Sequence, residues 1–261
     1  MDKRNVKALS ELFRDTRIYS QNRYSKNSPL RIFQKEYPNH TYSKEVDEFI
    51  STQSLEAFGD GADLPWWGDK YFSDIKAPRV MILTQDSLGP NKGSVVAYMP
   101  FLIDESKSSS DLNEYVRRYD WQKFGAFTRF RNLFKKLELD NRFLYVTDAR
   151  KVSGDWKRVL EKEIEIVSPD VILCLGQTGL EYLSDIKSGV TKLVDRKDTI
   201  VEITTGRLPQ MIKKPVVVAS LFPSGSNGHY THEREDNSAN TFNMVIERLN
   251  RDGLTPSVLQ H

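Results

Sequence analysis

Residues 78–86, PRVMILTQD, decide how the rest of the chain is read. Four consecutive apolar side chains, Val80 to Leu83, follow a proline and run into the polar pair Gln85-Asp86. A short apolar run bounded in this way fits a strand buried on both faces, as in a parallel sheet covered by helices. The same form recurs in residues 143–152 (FLYVTDARKV), 171–176 (VILCLG) and 215–224 (PVVVASLFPS). Helical spacing fills the intervals. Residues 124–137 and 156–167 are amphipathic, the second stopped by Pro169, while GQTGLEYLS opens a further helix and residues 236–250 close the chain. The pattern predicts an α/β fold: one domain over residues 66–261, with a central, mostly parallel four-stranded sheet flanked by helices. Residues 1–65 read as an N-terminal helical extension, with helices at 4–14 and 43–52, and GDGADLPWWGDKYF (59–72) is the boundary loop. In that loop Trp66 and Trp67 either close a pocket or pack in the core.

Composition narrows the function classes. With 38% hydrophobic and 28% charged residues, the 261-residue chain is ordinary for a globular protein. It carries no run of membrane-spanning length, and its first residues lack the apolar run of a secretory signal. The expected location is therefore cytoplasmic, with no membrane partner. A net charge of +2 neither requires nor forbids nucleic acid. The one cysteine, Cys174, sits in an apolar run and reads as a buried, inert thiol. The four histidines, His40, His229, His232 and His261, have no convincing ligand spacing, so neither a metal nor a cofactor is expected.

In open parallel sheets ligands bind beyond the carboxyl ends of the strands. Three such ends carry polar groups here: Gln85-Asp86, Thr147-Asp148 and Pro223-Ser224. The segment VMILTQDSLGPNKGSVVAYMPF (80–101) resembles the first motif of uracil-DNA glycosylases, in which a strand ends in Gly-Gln-Asp-Pro-Tyr-His before a Gly-Pro and a base-stacking Phe. Here Gln85-Asp86 and Gly89-Pro90 fall at the matching offsets. FLYVTDARKV resembles the family's second strand, VILCLGQTGLEYL its next strand and helix, and SLFPSGSNGHY (220–230) the His-Pro-Ser segment that grips the DNA backbone. Asn237, Ser238 and Asn240 follow ahead of the closing helix. The resemblance covers roughly residues 66–250.

The resemblance implies a monofunctional DNA glycosylase that flips a base out of DNA and hydrolyses its N-glycosidic bond, leaving an abasic site. Asp86 would stabilise the oxocarbenium-like transition state and orient water, with main-chain donors around Gln85 on the base. Phe101 or Tyr98 would stack on the flipped base. Ser224, Ser226, Asn227, Tyr230, Arg150 and Lys151 form the expected DNA contacts, joined by Lys92 and the basic face of residues 129–136. The expected partner is DNA and the expected state is a monomer.

Three departures modify that expectation. The family reads uracil with an Asn amide, but the matching position is Asp148. An ionised carboxylate only accepts hydrogen bonds, so it opposes uracil O4 and suits the amino group of cytosine. Alternatively, Asp148 faces Arg150 or Arg158 and reads nothing. The Tyr that crowds the pyrimidine C5 edge is replaced by Leu88, followed by Gly89, which opens room for a 5-substituent. Together these point to a 5-modified cytosine, of the kind bacteriophages use to mask their DNA, and to an anti-phage role. Finally, the family's His before Pro-Ser is Phe222; His229 or His232 is then the candidate replacement donor. Three alternatives stand beside this reading: a uracil-DNA glycosylase of base-excision repair, a DNA-binding relative that has lost catalysis, and a hydrolase of free nucleosides.

Overall fold

The computed structural model describes residues 3–14, 65–68, 70–73, 77–85, 125–151, 155–223 and 231–251. Along the chain these form α1 (Lys3–Arg14), β1 (Trp66–Trp67), β2 (Val80–Thr84), α2 (Gly125–Lys136), a 3-10 turn (Asn141–Phe143), β3 (Leu144–Asp148), α3 (Trp156–Val167), β4 (Val171–Leu175), α4 (Gln177–Leu183), α5 (Val190–Asp195), β5 (Ile200–Val201), β6 (Val216–Ser220) and α6 (His232–Arg251).

The strands lie in one sheet in the order β1-β3-β2-β4-β6-β5. The four apolar runs of the sequence are its centre and are mutually parallel. Every residue of β2, β3 and β4 is buried, as expected of strands covered on both faces. Among the described residues the expected four-stranded sheet is thus a six-stranded mixed one. The two additional strands are antiparallel two-residue edges, β1 on β3 and β5 on β6. Two residues cannot carry an alternating pattern, so neither edge has a signature in the sequence. Trp66 and Trp67 form β1 and are buried at 4% and 1% exposure; Trp67 stacks on Tyr145 with centroids 5.9 Å apart. They are core.

Helix α3 keeps the predicted bounds for identifiable reasons. Asp155 caps it by accepting from the Arg158 N–H at 3.2 Å, and Ser168, in the left-handed region at φ 47°, ends it before Pro169. Helix α6 begins earlier than predicted. The Thr231 hydroxyl accepts from the Arg234 N–H at 3.3 Å, and Glu233 and Glu235 supply first-turn negative charge. His232 consequently belongs to α6 rather than to a loop ahead of it, and Asn237, Ser238 and Asn240 lie within that helix. Helix α1, assigned by the sequence to an extension, packs on α3 and adds Leu9 and Phe13 to the same core. Cys174 is buried, and burial pushes its thiol well above the ordinary range, which keeps it protonated and inert. No helix among the described residues is long and apolar enough to cross a membrane. The predicted helix at 43–52 lies outside the described residues.

Candidate functional site

From β2 the chain crosses to β3 on one side, then returns past β2 to β4 on the other. The direction of winding therefore reverses between β2 and β4, the place where a crevice opens beyond the carboxyl ends of an α/β sheet. The hydrogen-bonded ladder continues past the strands at this edge. Ala149 N–H donates to the Thr84 carbonyl at 3.0 Å and Arg150 N–H to the Gln85 carbonyl at 2.9 Å; on the far side Gly176 N–H donates to the Ser220 carbonyl at 2.8 Å. Gln85, Asp148 to Arg150, Gly176 and Ser220 thus share one edge.

Two of the predicted side chains are fixed there by residues that the sequence did not single out. Gln85 lies against Gly176, whose φ of +91° and ψ of −171° suit glycine alone. A Cβ on Gly176 would come within 2.6 Å of Gln85 Cδ, so the missing side chain is what admits the amide. Thr178 Oγ1 donates to Gln85 Oε1 at 3.4 Å. Asp148 is paired in register with Thr84 on the neighbouring strand, and both have zero exposure. Its Oδ1 accepts from the Thr84 hydroxyl, which also lies 3.2 Å from the Thr147 carbonyl. A hydroxyl has one proton, so it can donate fully to only one of these acceptors. When Thr84 donates to Asp148, the carboxylate is ionised or accepts as the neutral acid. When Thr84 donates to Thr147, its oxygen can accept from a protonated Asp148. Asp148 Oδ1 takes the Thr84 hydroxyl, while the Arg150 guanidinium lies against the Trp156 ring.

The other predicted contacts divide. Arg150 is exposed, with its guanidinium 5.5 Å from the Trp156 ring centre. Lys151 is a correction. It is 1% exposed, its Nζ paired to Glu163 and 5.4 Å from the centre of the Phe13 ring, so it is turned into the core and offers nothing to a phosphate. Glu163 also accepts from the Tyr145 hydroxyl at 2.8 Å and from Thr147 Oγ1 at 2.7 Å. Burial, then the neighbouring Glu163, holds the Tyr145 phenol well above its ordinary range, so it stays a donor. The basic face of α2 is also reduced. Arg131 is 5% exposed, and Lys136 is bound to Glu235 and Asp236 of α6, each at 2.6 Å. Phe222, where the resembled family has a histidine, packs edge-on against Phe130 of α2, with ring centres 5.2 Å apart. His232 is exposed on the first turn of α6.

Asp86, Leu88, Lys92, Tyr98, Phe101, Ser224, Ser226, Asn227, His229 and Tyr230 lie outside the described residues. Among the described residues no three His, Cys, Asp or Glu side chains gather as a metal site. The missed residues, Thr84, Gly176 and Thr178, become visible only once the strand register is known. The chain matches no protein-family model and no curated protein.

Proposed function

We propose that the chain is a monofunctional DNA glycosylase acting on a flipped base, and that the base is a 5-modified cytosine. The observation that carries this reading is the ladder between Gln85 and Arg150. It sets the segment that runs into Asp86 beside the segment that carries Asp148, at the sheet edge where α/β folds bind ligands. Asp86 stabilises positive charge developing on the sugar and orients the attacking water; Gln85, seated on Gly176, directly precedes it in the chain. Asp148 accepts from the exocyclic amino group, and Thr84 fixes the carboxyl orientation. Because Asp148 is fully enclosed, recognition requires this edge to open for a base. The water excluded on base entry strengthens each remaining polar contact.

The packing of Phe222 against Phe130 favours a second reading, a DNA-binding relative without hydrolysis, because the resembled family uses a donor at this position. Mass spectrometry of bases released from DNAs carrying uracil, cytosine or 5-hydroxymethylcytosine separates the two. Release by the wild type, abolished in Asp86→Asn with DNA binding kept, supports the enzyme. DNA binding without release from any substrate supports the second reading.

A further inference from the structure

Beside the sheet edge, one surface combines cations with aromatic rings. The Arg150 guanidinium lies 5.5 Å and Lys157 Nζ 5.7 Å from the centre of the Trp156 ring. Trp156 meets Tyr182 of α4 edge-on, with centroids 6.1 Å apart, and the Arg207 guanidinium lies 5.0 Å over the Tyr182 ring. Three cations and two rings from four separate segments thus form a continuous ladder. Arg150, Lys157 and the adjacent Arg158 are exposed, Trp156 and Arg207 are half-buried, and Tyr182 is buried beneath them, so Trp156 is the ring open to a base. The acidic groups nearby, Asp155, Glu161 and Glu165, accept from neutral donors and are outnumbered by Arg150, Lys157, Arg158 and Arg207. Asp155 accepts from the Arg158 main chain, and Glu161 accepts from the Tyr182 hydroxyl at 2.6 Å.

We propose that this ladder is a docking surface for single-stranded DNA, the stretch of strand next to the nucleotide taken into the site. The partner rests on the function proposed above; the chemistry itself requires only a polyanion with unstacked bases. Cations held over rings are partly ordered in advance, so a phosphate that binds them orders less side chain. Unstacked bases add stacking on guanidinium and ring planes, which a duplex does not offer. The position fits as well. Arg150 is two residues beyond Asp148, and its N–H is bonded to the Gln85 carbonyl, so a strand held there is continuous with the sheet edge.

The test is fluorescence anisotropy of the full chain with a labelled oligodeoxynucleotide of about 12 residues, within the usual single-strand site size, and with its duplex, across a salt series. Arg150→Gln/Lys157→Gln is compared with a charge-matched control, Lys192→Gln/Lys197→Gln, and with Trp156→Leu; melting curves verify that each variant is folded. The double variant should bind the single strand about tenfold more weakly, and its salt slope should fall by about 1.4, or roughly 0.7 for each lost phosphate contact. Trp156→Leu should weaken binding without removing a charge. The control should change affinity less than about twofold. Equal losses in the double variant and the control, tighter binding of the duplex, or no binding by the wild type overturns the proposal. Binding that depends on Arg150 and Lys157 without release of any base upholds this surface and removes the glycosylase reading. Base release with binding indifferent to both residues does the reverse.

Discussion

Two buried carboxylates lie on opposite faces of β3, and they are treated differently. Strand alternation sends Tyr145 and Thr147 to one side and Asp148 to the other. On the first side Glu163 receives two hydroxyls and the Lys151 ammonium, and Phe13 of α1 seals the lysine. On the second side the Thr84 hydroxyl that donates to Asp148 Oδ1 is also within reach of the Thr147 carbonyl, so two acceptors compete for its proton. A carboxylate locked by a cation ties helices to a sheet. One bound to an adaptable hydroxyl can adjust to a ligand that brings its own donors.

This contrast is broken most directly at Lys151. Lys151→Met leaves Glu163 charged and buried, which should cost about 3–5 kcal/mol in denaturant unfolding. Lys151→Met/Glu163→Leu, which removes both charges, should recover most of that loss. A neutral single variant would show that the network does not hold the fold. At Gly176 the expected cost is lower. Alanine there is strained at φ +91° and crowds Gln85, so Gly176→Ala should lose about 1–3 kcal/mol. Base release should fall further than the fraction of folded protein explains.

Thr84 sharpens the other side of the comparison. Thr84→Val keeps the shape and removes the hydroxyl, at a cost of about 1–2 kcal/mol, with Thr84→Ser restoring it. If Thr84 acts through Asp148, its effect on base release disappears in an Asp148→Asn background; additive losses would contradict that coupling. The smallest effect concerns Lys136. Burial lowers its pKa, but the hydrogen bonds it donates to Asp236 and Glu235 outweigh this and leave it raised above 10.5. Because the folded value is the higher one, this contribution is complete below pH 10.5 and fades as pH rises through the folded value. The buried phenols of Tyr71 and Tyr145, raised chiefly by burial, weaken the fold in the same alkaline direction. The contribution of Lys136 is therefore the difference in denaturant midpoint between wild type and Lys136→Met, which should shrink between about pH 10 and 12. A constant difference would contradict it.

The central strands were legible because apolar runs bounded by proline and polar residues have few other uses. Helix α3 was legible because its apolar residues recur at helical spacing and Pro169 marks its end. The edge strands were not, since pairing rather than pattern makes Trp66–Trp67 and Ile200–Val201 extended. At the site, the sequence picked out Gln85 and Asp148 as polar groups at strand ends. It could not supply Thr84, because a threonine inside an apolar run gains meaning only from the residue opposite it. Lys151 was misassigned for the same reason. A lysine just past a strand looks solvent-facing until Glu163, twelve residues on, and Phe13, from the far end of the chain, are brought against it.

One reading depends on Asp148 above all: that its acceptor character selects the base. Single-turnover base release should be compared for wild type and Asp148→Asn on two otherwise identical DNAs, one with 5-hydroxymethylcytosine and one with uracil. The wild type should favour the cytosine, and the Asn variant should shift preference toward uracil by about 10- to 100-fold, the worth of one mismatched buried hydrogen bond. An unchanged preference, or uracil favoured by both proteins, would contradict it.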